Sequence, residues 1–190
     1  LVEQINAQAA CDLMLSIDLG GMLVLAGNDA GLAAFEAKVP KRGVFPLRLH
    51  NHAAFHTHLQ APVAQDGAQA LAHVEWGAPA VPMIDGTGKI WWPQGCDRVA
   101  LARYTLGTQV THPYDFTNAM RVAAQEFAPD LFIVVGPGTT LGGAVAQSLV
   151  AAGWQGTHNR ESFEEVQKAT QMLVAMGRAE QRAYAIAPQR

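Results

Sequence analysis

At 190 residues, with 49% hydrophobic and 15% charged side chains, the chain has the apolar content of one ordinary domain or two small ones, which excludes a disordered segment. Its net charge of -3, with lysines and arginines scattered and no basic stripe, argues against nucleic acid as a partner. No apolar run reaches the length of a membrane span and no basic-apolar-small leader opens the sequence, so a soluble cytoplasmic protein is expected. Cys11 and Cys96 lack metal-type spacing and are read as reduced, small and buried.

The first ten residues have a helical pattern with Leu1, Ile5 and Ala9 on one face, and a chain that opens this way on Leu1 is expected to be a processed chain or a fragment. Residues 12–18 and 22–26 read as two strands joined by Gly20 and Gly21 in a hairpin. Asp29 is placed as the cap of a helix that presents Leu32, Ala33 and Phe35 to the sheet and ends around Pro40 and Gly43. The alternation in residues 44–49 predicts another strand, and residues 59–74 predict a helix. This order is most of a split βαβ unit that lacks only an opening strand.

Farther on, residues 80–84 read as a short buried strand, Asp85 to Gly88 as a turn, and residues 89–92 as an edge strand limited by Pro93. Asp97 is placed as the cap of a helix over 98–106. A helix over 114–127, a strand over 131–135, the turn Gly136, Pro137, Gly138 and a helix over 139–152 follow, an alternation that implies a parallel sheet covered on both faces. Ser162 to Glu165 reads as a capping box opening a last amphipathic helix docked through Phe163, Val166 and Leu173.

The chemistry is expected in residues 48–62, where His50, His52, His56 and His58 put four of the seven histidines into nine positions. His56 falls at the predicted strand-to-helix transition, a place that exposes an imidazole able to take and give a proton. His50, His52 and His58 invite a metal reading, but no acidic or thiolate ligand lies nearby in sequence and no metal is expected. His58 and His112 are read as residues lining the site or the surface. The turn at 136–138 lacks Walker spacing and is read as a tight strand-to-helix turn near the site in preference to a phosphate cradle. Trp91 and Trp92 are read as packing residues, with a contact to a binding partner as the alternative.

Four segments, taken in order, resemble the C-terminal half of the malonyl-CoA:acyl carrier protein transacylase family. They are Leu23-Val-Leu-Ala-Gly27, Ala54-Phe55-His56-Thr57, Gln109-Val-Thr-His-Pro113, and Val135-Gly-Pro-Gly138 with Leu141. The resemblance covers roughly residues 1–155. It implies an α/β fold, part of a hydrolase-like three-layer parallel-sheet acyltransferase with a ferredoxin-like small subdomain. Residues 1–50 would be the incomplete small subdomain, 51–158 part of the large one, and 159–190 a C-terminal helix and tail.

The resemblance also implies transfer of a malonyl or related acyl group from coenzyme A to the pantetheine thiol of an acyl carrier protein, through an acyl-serine. His56 would be the general base, and the backbone carbonyl of Gln109 would hold the other ring N–H. Ala54, Phe55 and His58 would line the substrate site, with Phe55 bulk closer to the malonyl-selective form. No tightly bound cofactor is implied, acyl-CoA being the substrate. The serines are Ser16, Ser148 and Ser162, none in a Gly-x-Ser-x-Gly elbow, so the nucleophile and a carboxylate-binding arginine are expected on an N-terminal half or a second chain. The alternatives are a non-catalytic acyltransferase-like subunit that binds acyl carrier protein, a thioester hydrolase using the same site, and a histidine-clustered metal protein.

Overall fold

The computed structural model describes residues 1–49 and 52–186. They form two compact units. The first comprises residues 1–18, 23–83 and 90–114; the second comprises residues 19–22, 84–89 and the described chain from Asp115 onward.

In the first unit, helix α1 (Val2–Asn6) precedes strands β1 (Leu13–Leu19) and β2 (Met22–Gly27), which neighbour each other in a sheet of order β2-β1-β5, where β5 is Tyr114–Asp115. Side-chain amides start this sheet. Asn6 donates to the Leu13 carbonyl at 2.8 Å and accepts from its N–H at 2.9 Å, so the strand's first backbone groups are satisfied locally. Helix α2 (Asp29–Lys38) packs on α1, and Ile5 and Leu13 are fully buried. Its cap is Asn28, whose side-chain oxygen accepts from Gly31 N–H at 2.8 Å and also from Asp12 N–H at 3.1 Å. Asp29 is the first helical residue instead, because the amide of Asn28 can serve the helix and the strand together.

Residues 44–49 form no strand. Arg42 and Phe45 close a bridged turn, Pro46 brings no N–H, and Val44, Phe45, Leu47 and Leu49 are all at least half exposed. The alternation is present, but among the described residues no neighbouring edge receives it. The helix predicted over 59–74 forms as a 3₁₀ turn at His58–Gln60 and α3 at Ala61–Ala70. Helix α4 (Arg98–Arg103) begins where Asp97 accepts from Ala100 N–H at 2.9 Å. It does not stop at Gly107 but runs through a π turn at Tyr104–Thr108 into the short α5 (Gln109–Thr111). Trp91 packs against Tyr104 and Leu101 in a second small core.

The second unit is built on strands β6 (Phe132–Val134) and β7 (Leu173–Ala175), paired in parallel with Phe132 opposite Leu173. Helices α6 (Phe116–Phe127), α7 (Leu141–Ala151) and α8 (Arg160–Thr170) supply the rest of its core, in which Ala124, Val145, Leu149, Trp154, Met172 and Leu173 are buried and Phe163 and Val166 pack against them. Leu173 contributes from β7, not from a helix, because Gln171 ends α8 in the left-handed conformation. The cap of α8 is Asn159, and Ser162 is the reciprocal partner three residues on, so the box begins earlier than Ser162. Helix α9 (Ala179–Ile186) follows β7.

The turn between β3 (Met83–Ile84) and β4 (Ile90–Trp91) is held by one carboxylate. Asp85, 6% exposed, accepts on Oδ1 from Thr87 N–H at 2.8 Å, Thr87 Oγ1 at 2.6 Å and Lys89 N–H at 3.1 Å. Asp85→Ala leaves those donors without their charged acceptor, and a loss of about 2 kcal/mol is expected, read as a lower urea midpoint with an unchanged m-value.

Candidate active site

The site grows from one turn. After the irregular stretch that ends at Ala54, the chain reverses at Phe55 and His56, and His56 has φ +60, the left-handed region where a side chain is disfavoured. Several bonds hold this conformation. His56 N–H donates to the Val110 carbonyl at 3.0 Å, Thr57 Oγ1 to the Ala54 carbonyl at 2.6 Å, and Ser16 Oγ to the Phe55 carbonyl at 2.8 Å. Thr57 and Ser16 are 2% and 3% exposed, so water does not compete for these bonds. A strained residue fixed from three sides is the kind of backbone that functional sites keep.

The His56 ring is half-buried, and its Nδ1 lies 2.5 Å from the backbone carbonyl of Gln109. A carbonyl only accepts, so Nδ1 carries a proton, and in the neutral form of the ring Nε2 is then the nitrogen with the lone pair. The Tyr114 ring stands beside the imidazole, with centroids 5.6 Å apart at 53°. The result is an imidazole aimed by backbone, with Nδ1 occupied and Nε2, in the neutral ring, the nitrogen that can accept a proton.

Phe55 is 47% exposed beside His56, and Ala54 is half-buried with its carbonyl engaged by Thr57. His58 is exposed, and its Nε2 lies 2.9 Å from Asp12 Oδ2. Gly136, Pro137 and Gly138 belong to the second unit, in the turn from β6 to α7, where Gly136 and Gly138 have φ +116 and +70. Of the histidines considered for a metal, His50 lies outside the described residues and His58 faces Asp12. Among the described residues, no group of three or more His, Cys, Asp or Glu could hold a metal ion, and no helix is long and apolar enough to cross a membrane. Ser16, Val110 and Tyr114 were not singled out by sequence. Val110 acts through its backbone, and Ser16 lies 39 positions from its partner, so only their flanking motifs pointed to them.

All three serines are engaged elsewhere. Ser16 Oγ holds the Phe55 carbonyl, Ser148 Oγ donates to the Ala144 carbonyl at 2.9 Å inside α7, and Ser162 serves the α8 cap. Ser16 and Ser148 are buried, and the Ser162 hydroxyl is occupied by the cap.

No family model matches the chain. The polyketide synthase GfsB of Streptomyces halstedii is 28% identical over 143 residues, 74% of this chain and 2% of that protein. The highly reducing polyketide synthase poxF of Penicillium oxalicum is 23% identical over 168 residues, 76% of this chain and 6% of that protein. Among solved structures, the malonyl-CoA:ACP transacylase of Synechocystis sp. PCC 6803 matches with a TM-score of 0.66 at 19% identity, over 95% of this chain and 53% of that one. The acyl carrier protein S-malonyltransferase of Vibrio cholerae matches with a TM-score of 0.64 at 19% identity, over 97% and 54%. That of Burkholderia pseudomallei matches at 0.63 and 22%, over 88% and 54%. The chain therefore has the mixed α/β fold of these acyltransferases and spans about half the length of the solved structures it matches.

Proposed function

We propose, from this acyltransferase fold, that the chain is the histidine-bearing part of an enzyme that moves a malonyl or related acyl group from coenzyme A to the pantetheine thiol of an acyl carrier protein. The observation that carries the reading is the 2.5 Å contact between His56 Nδ1 and the Gln109 carbonyl, which leaves Nε2 as the base. A serine supplied by polypeptide outside this chain gives its proton to Nε2 and attacks the thioester carbonyl. Collapse of the tetrahedral adduct breaks the carbon–sulfur bond, and the coenzyme A thiolate leaves with the proton from the imidazolium. In the second half, Nε2 takes the proton of the pantetheine thiol, the sulfur attacks the acyl-serine ester, and the serine oxygen leaves reprotonated.

The partner of the imidazole matters for the acceptor. A neutral carbonyl fixes the tautomer without the extra basicity that a carboxylate lends to a hydrolytic triad, which suits a reaction whose acceptor thiol is more acidic than water. Phe55 and Ala54, on the same turn, would form the wall against the acyl group. His58 would stand at the rim, and the turn at Gly136–Gly138 would shape a strand-to-helix corner of the fold.

A mixture of the complete protein, malonyl-CoA and a pantetheinylated carrier tests the reading by intact mass. Acylated carrier is the expected product. Free malonate without acylated carrier would make the protein a thioester hydrolase. Absence of both, with the carrier still retained, would favour a non-catalytic carrier-binding subunit.

A further inference from the structure

The two carbonyls that hold His56 are consecutive. Gln109 O receives the ring Nδ1–H, and Val110 O receives the His56 backbone N–H. In a continuing α-helix neither would be open, since the carbonyl of residue i takes the N–H of residue i+4. Those donors would belong to residues 113 and 114. Residue 113 is proline, which has no N–H and drives the residue before it out of the helical region. His112 is accordingly extended, at φ -124 and ψ 152, and α5 stops at Thr111. The last helical bond of this segment is His112 N–H to Thr108 O at 2.9 Å, after which Tyr114 leaves as the first residue of β5.

We propose that Pro113 is a positioning residue for His56: it ends α5 one turn early and so reserves two adjacent carbonyls, one for the ring and one for the backbone of the same histidine. The π turn at Tyr104–Thr108 works in the same direction. It inserts one residue into the helical run, so that Gln109 N–H bonds to Tyr104 O five residues back and the last carbonyls are turned from the register that α4 would have given them. The strained φ of His56 is then sustained by a bond that exists only because a proline stands three positions beyond Val110.

The test compares Pro113→Ala and Pro113→Gly with the unsubstituted protein. Both variants restore an N–H at 113 and release His112; alanine adds a helix-forming residue, whereas glycine does not. With ¹⁵N-labelled histidine, the His56 ring is identified by the signal that His56→Gln removes. The unsubstituted protein is expected to show the proton on Nδ1 and a slowly exchanging His56 amide. In Pro113→Ala the Nδ1–H tautomer is expected to lose its dominance and the amide to exchange faster, with kcat down about 10- to 100-fold and KM within about threefold. Pro113→Gly is expected to move the same way by less.

Folded variants that retain the Nδ1–H tautomer and the protected amide overturn the proposal. So does a native His56 carrying its proton on Nε2, which decides the matter even if neither variant folds. Only the kinetic part rests on the acyltransferase reading. Variants that shift the tautomer in a protein that loads no carrier would leave the positioning role standing and remove the transferase reading.

Discussion

Replacing His56 with alanine is expected to lower acyl transfer by the complete enzyme about a thousandfold, with little change in folding. In the proposed mechanism one imidazole would serve both half-reactions, removing the proton first from the serine and then from the thiol, and general-base catalysis of this kind contributes about 10²- to 10⁴-fold. The structure makes a folding explanation testable. The turn is held by backbone and by its neighbours, through His56 N–H to Val110 O, Thr57 Oγ1 to Ala54 O and Ser16 Oγ to Phe55 O, and alanine keeps all of these. Alanine at φ +60 carries a β-carbon as histidine does, so the backbone strain changes little. The thermal midpoint should therefore move by only a few degrees, which corresponds to about 1 kcal/mol. A variant that transfers at the unsubstituted rate removes His56 from the chemistry; one that is inactive and unfolded would show that the ring is structural.

Gly20→Ala is expected to be the most destabilising single-methyl change in the second unit, at about 3 kcal/mol. Gly20 has φ +56, where any β-carbon costs about 1 kcal/mol. That carbon would also collide with the backbone carbonyl of Ala144 and lie 2.8 Å from Ser148 Oγ, both on α7. A backbone carbonyl in a helix cannot turn aside, so α7 must shift, and α7 carries the buried Val145 and Leu149. The N–H of Gly20, which donates to Thr117 Oγ1 at 2.9 Å, would be dragged with it. Urea unfolding measures the loss, and Gly143→Ala is the control. A β-carbon at Gly143 meets nothing within 4 Å, and in the first turn of α7 alanine should stabilise by up to about 0.5–1 kcal/mol. Equal midpoints for the two variants would contradict the packing argument.

What the sequence makes legible here follows period and punctuation. Strands β1 and β2, helices α6 and α7 and the Asp85 turn are readable because apolar spacing, Gly20-Gly21 and Asp85-Gly86 are local signals whose physics is complete within a few residues. Where a neighbour decides, the local signal misleads. Residues 44–49 alternate like a strand but meet no edge, and Leu173 continues a helical pattern although Gln171 has already turned the chain toward β7. Caps show the same limit. Asn28 caps in place of Asp29 because its side chain also reaches the Asp12 N–H, and Asn159 caps with Ser162 as its partner, the serine hydroxyl accepting from the Asn159 backbone N–H.

The site divides the same way. His56 stands out by composition, and Gln109 through the motif that ends in Pro113. Val110 lies inside that motif but its role does not show there, and Ser16 belongs to no pattern, since one contributes a peptide carbonyl and the other reaches across 39 positions. Residue type cannot reveal a role that any residue's backbone could fill. Pro113 is the exception: it leaves a trace in sequence because what it contributes is a missing N–H.

The proposed chemistry depends on which nitrogen of His56 holds the proton. A ¹⁵N spectrum of the unsubstituted protein at neutral pH answers that directly. The geometry predicts a proton on Nδ1, directed at the Gln109 carbonyl, and an open Nε2. A spectrum with the proton on Nε2 and a bare Nδ1 would contradict it, because Nε2 could then no longer serve as the base.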